Sequence, residues 1–120
     1  MDAHPVVERF LTAFYTGDVA QIRDSVVTKF TMEGPFASAH DADELITLSQ
    51  PLFDVVRGVR FRQWVIDGDN VSSLYDINLH GPNGSGWMTM GGWFTVAGDR
   101  VATGYVVYDS ATQHSILAGR

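Results

Sequence analysis

Several side chains in this sequence have the chemistry to polarise a carbonyl group or to move a proton. Tyr75 and Tyr108 carry phenol hydroxyls, which can donate a hydrogen bond to a carbonyl oxygen or to a developing enolate. His40 carries an imidazole, which titrates near neutral pH and can serve as a general base. Glu33 is the carboxylate of the segment TMEGPF, residues 31–36. Each has a plainer interpretation, because a Tyr often packs in the core and a loop His often has no task.

The other histidines do not form a ligand cluster. His4 and His114 lie near the ends of the sequence, and His80 precedes a Gly-rich stretch at residues 81–86. The four His have no i, i+2 or i, i+4 spacing between them, which is the spacing that zinc ligands commonly use. The Gly-rich stretch leads into a predicted strand, so no helix N-terminus follows it to hold a phosphate. We therefore expect no metal and no cofactor.

Composition limits the class of protein further. The length of 120 residues fits one domain, residues 1–120, and the absence of Cys excludes disulfides and thiol catalysis. A net charge of −6 disfavours nucleic acid as a partner, because phosphates attract a basic surface. No apolar run approaches the roughly 20 residues of a membrane span, and the N-terminus lacks the pattern of a signal peptide. We expect a cytoplasmic protein that binds neither nucleic acid nor membranes.

Apolar spacing and capping residues predict helices in the first half of the sequence. One apolar stripe at helical spacing consists of Val6, Val7, Phe10, Leu11 and Phe14. Gly17 is a plausible end of this helix. Asp18 and Asp41 each precede a Gln or Glu by three residues, which is the capping-box pattern that begins a helix. Pro51 predicts a kink or an early end of the third helix, because it removes a backbone donor.

Alternating apolar residues predict strands in the remainder. The predicted strands are residues 28–36, 59–66, 71–80, 87–96 and 100–109, with turns at residues 67–70 and 97–99. Residues 81–86 are predicted to be a loop. Residues 110–120 lack a clear period and are either a tail or a segment that contacts a partner. Helices followed by a meander of strands predict an α+β domain with helices on one face of a sheet.

One face of the later strands carries large, flexible and aromatic side chains. Regular alternation places Met88, Met90, Phe94 and Tyr108 on the same side of the sheet. On the pattern alone these residues either fill a core or line a pocket for an apolar ligand.

Two motifs of the sequence resemble a known family. The stretches VVERFLTAFYTGD, residues 6–18, and FTMEGP, residues 30–35, are similar to the start of bacterial ketosteroid isomerases. The wider family is the nuclear transport factor 2-like superfamily, which includes the SnoaL-like polyketide cyclases. The resemblance implies a cone-shaped α+β barrel, in which three helices close one end of a strongly bent, mostly antiparallel sheet around an apolar pocket. It also implies a homodimer that forms through the outer face of the sheet.

The sequence departs from the isomerase pattern at each catalytic position. By the resemblance, the hydrogen-bonding Tyr of the first helix falls on Phe10, and the Asp that acts as base falls on Gly34. The second Asp falls on Gly92, or on Gly91 if the alignment shifts by one residue. None of these residues can donate or accept a proton from its side chain, so steroid isomerisation by that mechanism is excluded. We expect the glycines to leave room for a bulky or polycyclic ligand, and Glu33 to point to the opposite strand face.

The resemblance also implies a set of pocket residues. The expected ligand-binding residues are Phe10, Phe14, Met32, Gly34, Phe36, Leu48, Leu52, Tyr75, Ile77, Met88, Met90, Gly92, Phe94 and Tyr108. Tyr75 and Tyr108 are the candidate oxyanion donors, and His40 is the candidate base because the loop that carries it lies near the pocket mouth in the superfamily. Tyr15 is expected to be a packing or rim residue. Asp109 and Asp76 are weak candidates, because strand alternation points both of them outward.

Three functional hypotheses remain open. The first is a cofactor-independent isomerase, cyclase or lyase that acts on an apolar carbonyl or polyketide-like compound. The second is a binding protein for an apolar ligand that performs no chemistry. The third is a subunit whose sheet face pairs with another protein.

Overall fold

The structure is a computed structural model that describes residues 2–35, 37–82 and 84–117. The helices of these residues are α1 (Ala3–Thr16), α2 (Val19–Asp24), α3 (Ala42–Leu48), α4 (Gln50–Phe53) and α5 (Ser110–Leu117). The strands are β1 (Val26–Glu33), β2 (Ser38–Ala39), β3 (Val56–Asp67), β4 (Asn70–Gly81), β5 (Gly84–Ala97) and β6 (Arg100–Tyr108). None of the helices in the described residues is long and apolar enough to cross a membrane.

The predicted helix boundaries of the first half are confirmed. Gly17 ends α1 in the left-handed conformation at φ 71°, and its amide donates to carbonyls of the last turn. The Asp18 carboxylate accepts a hydrogen bond of 3.2 Å from the backbone amide of Gln21 and so caps the start of α2. At the start of α3 the Asp41 carboxylate accepts a hydrogen bond of 2.8 Å from the backbone amide of Glu44. Pro51 lies in the first turn of α4, and α3 ends before it as expected.

The strands form one curved, unclosed sheet in the order β2-β1-β6-β5-β4-β3. The neighbours pair antiparallel, except that β1 pairs parallel with β6. Gly68 and Gly98 take φ values of 60° and 65° at the two hairpin turns that the sequence predicted. The predicted loop at residues 81–86 is wrong in its extent, because β4 and β5 stay paired up to Gly81 and Gly84.

The inner face of the sheet packs against the helices and forms the core. The largest side chains with essentially no exposed surface are Tyr75, Phe10, Phe30, Phe94, Leu11, Ile22, Ile77 and Leu79. The α+β class and the cone-like arrangement of helices on a bent, mostly antiparallel sheet are confirmed.

The ends of two predicted elements differ from the structure. The first strand runs from Val26 to Glu33 rather than over residues 28–36, and Phe36 lies outside the described residues. The segment after β6 is a helix, α5, and not an unstructured tail. Asp109 begins it by accepting the backbone amides of Ala111 at 3.0 Å and Thr112 at 3.4 Å.

Candidate functional site

A cavity of about 270 Å³ lies between the helices and the inner face of the sheet. The expected pocket residues that line it are Phe14, Met32, Gly34, Leu48, Leu52, Ile77, Met88, Met90 and Tyr108. Further lining residues, which the sequence did not single out as pocket residues, are Tyr15, Glu33, Ala37, Ser38, Ala39, Leu45, Ser49, Val106 and Gln113. The lining is therefore mostly apolar with a few hydroxyl and amide groups, as in sites for small organic ligands.

Side chains fill the region of the sheet around Gly92, where the resemblance implied a hollow. Phe10, Tyr75, Gly92 and Phe94 do not line the cavity, although the resemblance implied that they bind the ligand. The expectation that Gly92 leaves empty space is wrong, because a Cβ built there would lie 2.5 Å from Cε2 of Phe94. The Phe94 ring occupies that space, and its centroid lies 6.3 Å from that of Phe10. The cavity is therefore shorter than the sequence suggested.

Two tyrosines meet at the wall of the cavity. The hydroxyl oxygens of Tyr15, on α1, and Tyr75, on β4, lie 2.8 Å apart in a buried hydrogen bond. Tyr15 borders the cavity and is 5% exposed, whereas Tyr75 lies behind it and is 0% exposed. Among the described residues no other group accepts a proton from either hydroxyl. Two hydroxyls have two protons and their mutual bond uses one. When Tyr75 is the donor of that bond, the proton of Tyr15 is available to an acceptor in the cavity.

Both phenols stay protonated over a wide pH range. Burial raises the pKa of Tyr15 well above 10.0, and the neighbouring Tyr75 raises it further. Burial also raises the pKa of Tyr75, although its hydrogen bond with Tyr15 partly opposes this. A phenol that is neutral and already positioned in an apolar wall is a hydrogen-bond donor of the oxyanion-hole type. Sequence reasoning expected Tyr15 to be a packing or rim residue, because it lies one position beyond the apolar stripe of α1.

Tyr108 and Gln113 add a second polar group to the cavity lining. Burial raises the pKa of the half-buried Tyr108, while a hydrogen bond from the Gln113 side chain opposes the rise. Gln113 reaches the cavity because α5 follows β6 after a single residue, Asp109. Asp109 is exposed and caps α5. Asp109 therefore stabilises the start of α5 and does not line the cavity.

His40 does not reach the cavity. Its side chain is 77% exposed, and its Nδ1 atom lies 2.8 Å from Oε1 of Glu44. The hydrogen bond from the His40 side chain, with another from its backbone amide, lowers the pKa of Glu44. The expectation of a base at the pocket mouth is therefore not met by this histidine.

The remaining acidic candidates lie outside the cavity or at its rim. Glu33 is exposed beside the buried Met32, so strand alternation turns it away from the core as expected. Asp76 is buried on the outer sheet face, where Thr89 donates to it at 2.8 Å and Arg60 at 3.1 Å. No group of three or more His, Cys, Asp or Glu that could hold a metal occurs in the part of the chain that the structure describes.

The arrangement can bind and polarise but lacks an internal base. Apart from Glu33 at the rim, the described lining residues include no carboxylate, imidazole, ammonium or guanidinium group. A neutral ligand with a carbonyl oxygen near Tyr15 would accept a hydrogen bond from the Tyr15 hydroxyl in an uncharged part of the cavity wall.

Comparison with known proteins shows which family the chain belongs to. The family model described as a SnoaL-like domain matches residues 7–104, and the chain belongs to this family. No curated protein sequence matches the chain. The suspected relationship to the nuclear transport factor 2-like superfamily is thus confirmed.

Solved structures share the fold at low sequence identity. A nuclear transport factor 2-like protein of unknown function from Burkholderia pseudomallei K96243 has a TM-score of 0.82 and 15% identity, covering 98% of both chains. An LEH-like epoxide hydrolase of M. tuberculosis has a TM-score of 0.79 and 21% identity, covering 98% of this chain and 90% of its own. TerC, co-crystallised with polyporic acid, has a TM-score of 0.81 and 12% identity, covering 95% and 96%. At these identities the likeness extends to the fold alone.

Proposed function

We propose that the protein is a cofactor-independent enzyme that binds a neutral, apolar carbonyl compound and promotes closure of a ring within it. Among the isomerase, cyclase and lyase hypotheses, this is the cyclase type. The observation that supports it is the buried Tyr15–Tyr75 pair, which offers one phenol proton to a largely apolar cavity. The chain belongs to the SnoaL-like family. The sequence resemblance to SnoaL-like polyketide cyclases supports the same reaction class.

The two phenols act in series in the proposed mechanism. Tyr75 donates to the Tyr15 oxygen, and Tyr15 donates to the carbonyl oxygen of the ligand. Negative charge that develops on that oxygen during bond formation is stabilised by a donor that needs no reorganisation. The cavity walls hold the two reacting parts of the ligand together, which removes much of the entropic cost of ring closure.

Ring closure fits a cavity that has no internal base. A 1,3-dicarbonyl compound already contains its nucleophile in the enol form. The enol carbon bonds to the polarised carbonyl carbon, the carbonyl oxygen gains a proton and the enol oxygen loses one. The product is thus an isomer of the substrate, and solvent at the mouth can carry the proton. Isomerisation by removal of a carbon-bound proton requires a positioned base, which the described lining residues do not provide.

A carbonyl probe tests the central contact directly. The carbonyl stretch of bound 1-tetralone reports hydrogen-bond donation as a shift to lower wavenumber. We expect this shift in the unmodified protein and its loss in Tyr15→Phe. Tyr105→Phe is the matched control, because Tyr105 is exposed on the outer sheet face. A shift that survives Tyr15→Phe would contradict the proposed role of Tyr15.

The alternative is a binding protein for the same class of ligand, and the missing internal base favours it. Intramolecular aldol closure of an enolised 1,3-diketone that carries a third ketone, nonane-2,4,8-trione, distinguishes the two functions. For an enzyme, Tyr15→Phe lowers kcat by roughly 10²-fold, as loss of one oxyanion donor commonly does, with a smaller effect on KM. For a binding protein, the unmodified protein gives no acceleration and the substitution changes affinity alone.

A further inference from the structure

The ring of Phe94 lies near the cavity, behind the residues that line it. Phe94 lies on β5, two residues after Gly92, and is paired across to Gly104 on β6. A Cβ built at Gly92 would lie 2.5 Å from Cε2 and 2.8 Å from Cζ of the Phe94 ring, and one at Gly104 would lie 3.1 Å from Cδ1 and Cε1. A side chain larger than that of glycine at either position would therefore press against the Phe94 ring.

The same ring stands directly behind the cavity wall. The position of a Cβ on Gly104 lies 3.4 Å from Cγ of Met32, which lines the cavity. The position of a Cβ on Gly92 lies 3.5 Å from Cε1 of Tyr75, the inner partner of the phenol pair. The Phe94 ring and the Met32 side chain of the cavity lining thus both pack against Gly104, and a methionine side chain is flexible.

We infer that Phe94 sets the upper size of the ligand, and that the cavity accepts neutral carbonyl compounds of one or two rings. This inference rests on the proposed function and narrows its substrate class. The volume of about 270 Å³ corresponds to roughly nine water molecules at about 30 Å³ each. A dry cavity of about 150 Å³ holds one benzene in another protein, so two fused rings fit here and four do not.

The charge of the ligand follows from the lining. Among the described lining residues there is no Lys or Arg to pair with a carboxylate or a phosphate. The uncharged polar groups that are present, Tyr15, Tyr108, Gln113 and two serines, suit carbonyl and hydroxyl groups.

A graded series of cyclic ketones tests the size limit. The series is cyclohex-2-enone, 1-tetralone, anthrone and a four-ring steroid ketone, each titrated calorimetrically against the unmodified protein and its variants. We expect the unmodified protein to bind the first two. Phe94→Ala removes the ring and extends the cavity, so it gains about tenfold or more in affinity for anthrone, equal to about 1.4 kcal/mol.

Two further variants keep the test decisive. Phe94→Leu removes the ring atoms that face Gly92 with less loss of packing, so it tests the inference if the alanine variant does not fold. Phe30→Ala is the matched control, because Phe30 is also fully buried and contacts Phe10 but lies away from the two glycines. We expect no gain for anthrone in that control.

The outcomes separate this inference from the function on which it rests. If the unmodified protein binds none of the ketones, the proposed function fails. If it binds the small ketones but neither Phe94 variant gains anthrone, or if Phe30→Ala gains as much, the assignment of the size limit to Phe94 is wrong. Binding of the steroid ketone by the unmodified protein would also overturn it.

Discussion

The hydroxyls of Tyr15 and Tyr75, sixty positions apart in the sequence, lie 2.8 Å from each other at the wall of the cavity. This contact joins helix α1 to strand β4 by a polar bond within an otherwise apolar region. Because each phenol is the other's partner, substitution of one leaves a buried hydroxyl without it.

Tyr75→Phe is therefore expected to lower the free energy of unfolding by about 1–2 kcal/mol, measured by urea denaturation at pH 7. Tyr105→Phe removes an exposed hydroxyl and should change it by less than about 0.5 kcal/mol. Equal effects of the two substitutions would show that the buried bond contributes nothing.

The raised pKa values of this pair predict a loss of stability at alkaline pH. A phenol in the unfolded chain ionises near pH 10, whereas the buried phenols resist ionisation. The stabilisation is complete below the unfolded pKa and is lost as pH rises above it toward the folded pKa. Between pH 9 and 11.5, the stability of the unmodified protein should fall more steeply than that of Tyr15→Phe/Tyr75→Phe. Parallel slopes would contradict the burial of the phenols.

Gly92→Ala is expected to destabilise the protein by about 1–3 kcal/mol, because the new methyl group would overlap the Phe94 ring. The same substitution in a Phe94→Ala background should cost much less. The coupling energy from this double-mutant cycle is the measurement. Gly58→Ala, where a Cβ would meet nothing within 4 Å, is the matched control. Additive effects of the two substitutions would show that the overlap is absent.

Asp76 on the outer face should make stability sensitive to acid. Burial alone raises the pKa of its carboxyl, but hydrogen bonds from Thr89 and Arg60 and the charges of Arg62 and Arg60 outweigh it and lower the pKa overall. The stabilisation is present above the unfolded pKa of about 4 and is lost as pH falls through the lower folded pKa. Asp76→Asn should therefore cost about 1–2 kcal/mol at pH 7 and little near pH 2.

The control for this prediction is Asp67→Asn, since Asp67 is exposed at the end of β3. Urea denaturation at pH 7 and pH 2 measures both variants. A cost for Asp76→Asn that stays the same at the two pH values would contradict the assignment.

Asp109→Ala is expected to fray α5, because the carboxylate accepts the first backbone amides of the helix. Hydrogen exchange of the α5 amides should become faster, with little change in the sheet. The hydrogen bonds from the Thr112 hydroxyl and from the Thr112 and Ala111 amides lower the pKa of Asp109, so the cap persists to acidic pH. Thr112→Val, which removes only the hydroxyl, should have an intermediate effect. Unchanged exchange in Asp109→Ala would refute the capping role.

The outer face of the sheet exposes a set of large apolar side chains. They are Val65, Leu74, Trp87, Trp93, Tyr105 and Val107. We propose that a second copy of the chain covers this face, as the family resemblance implied. Trp93→Lys should convert a dimer to a monomer in sedimentation velocity, because Trp93 is 52% exposed within the set. Ile66→Lys, at a side chain of similar exposure outside the set, should not. A monomeric unmodified protein would contradict the proposal.

The sequence was most informative where structure is set locally. Asp18, Asp41 and Gly17 each act within one helical turn, so their residue types alone predicted where helices begin and end. Strand alternation placed Met88 and Met90 on one common face of the sheet for the same reason, and the structure shows that this is the buried face.

The limits of the cavity could not be predicted in this way. The direction of the Phe94 ring depends on two glycines, one of them on a neighbouring strand, so the sequence suggested a hollow where the ring lies. Helix α5 was missed because its apolar residues have no helical period. A local signal was nevertheless present, since Asp109 directly precedes the helix and Asp is a common N-cap residue.

The parallel pairing of β1 with β6 ties the order of synthesis to the completion of the fold. β1 ends at Glu33, but its long neighbour begins only at Arg100, and its other neighbour is two residues long. While the nascent chain emerges from the ribosome, β1 with Phe30 and Met32 therefore lacks its partner strand β6, which is translated much later. Contacts so distant in sequence form slowly. A chain arrested before residue 100 would present an open strand edge, which makes such fragments prone to aggregate and dependent on chaperones.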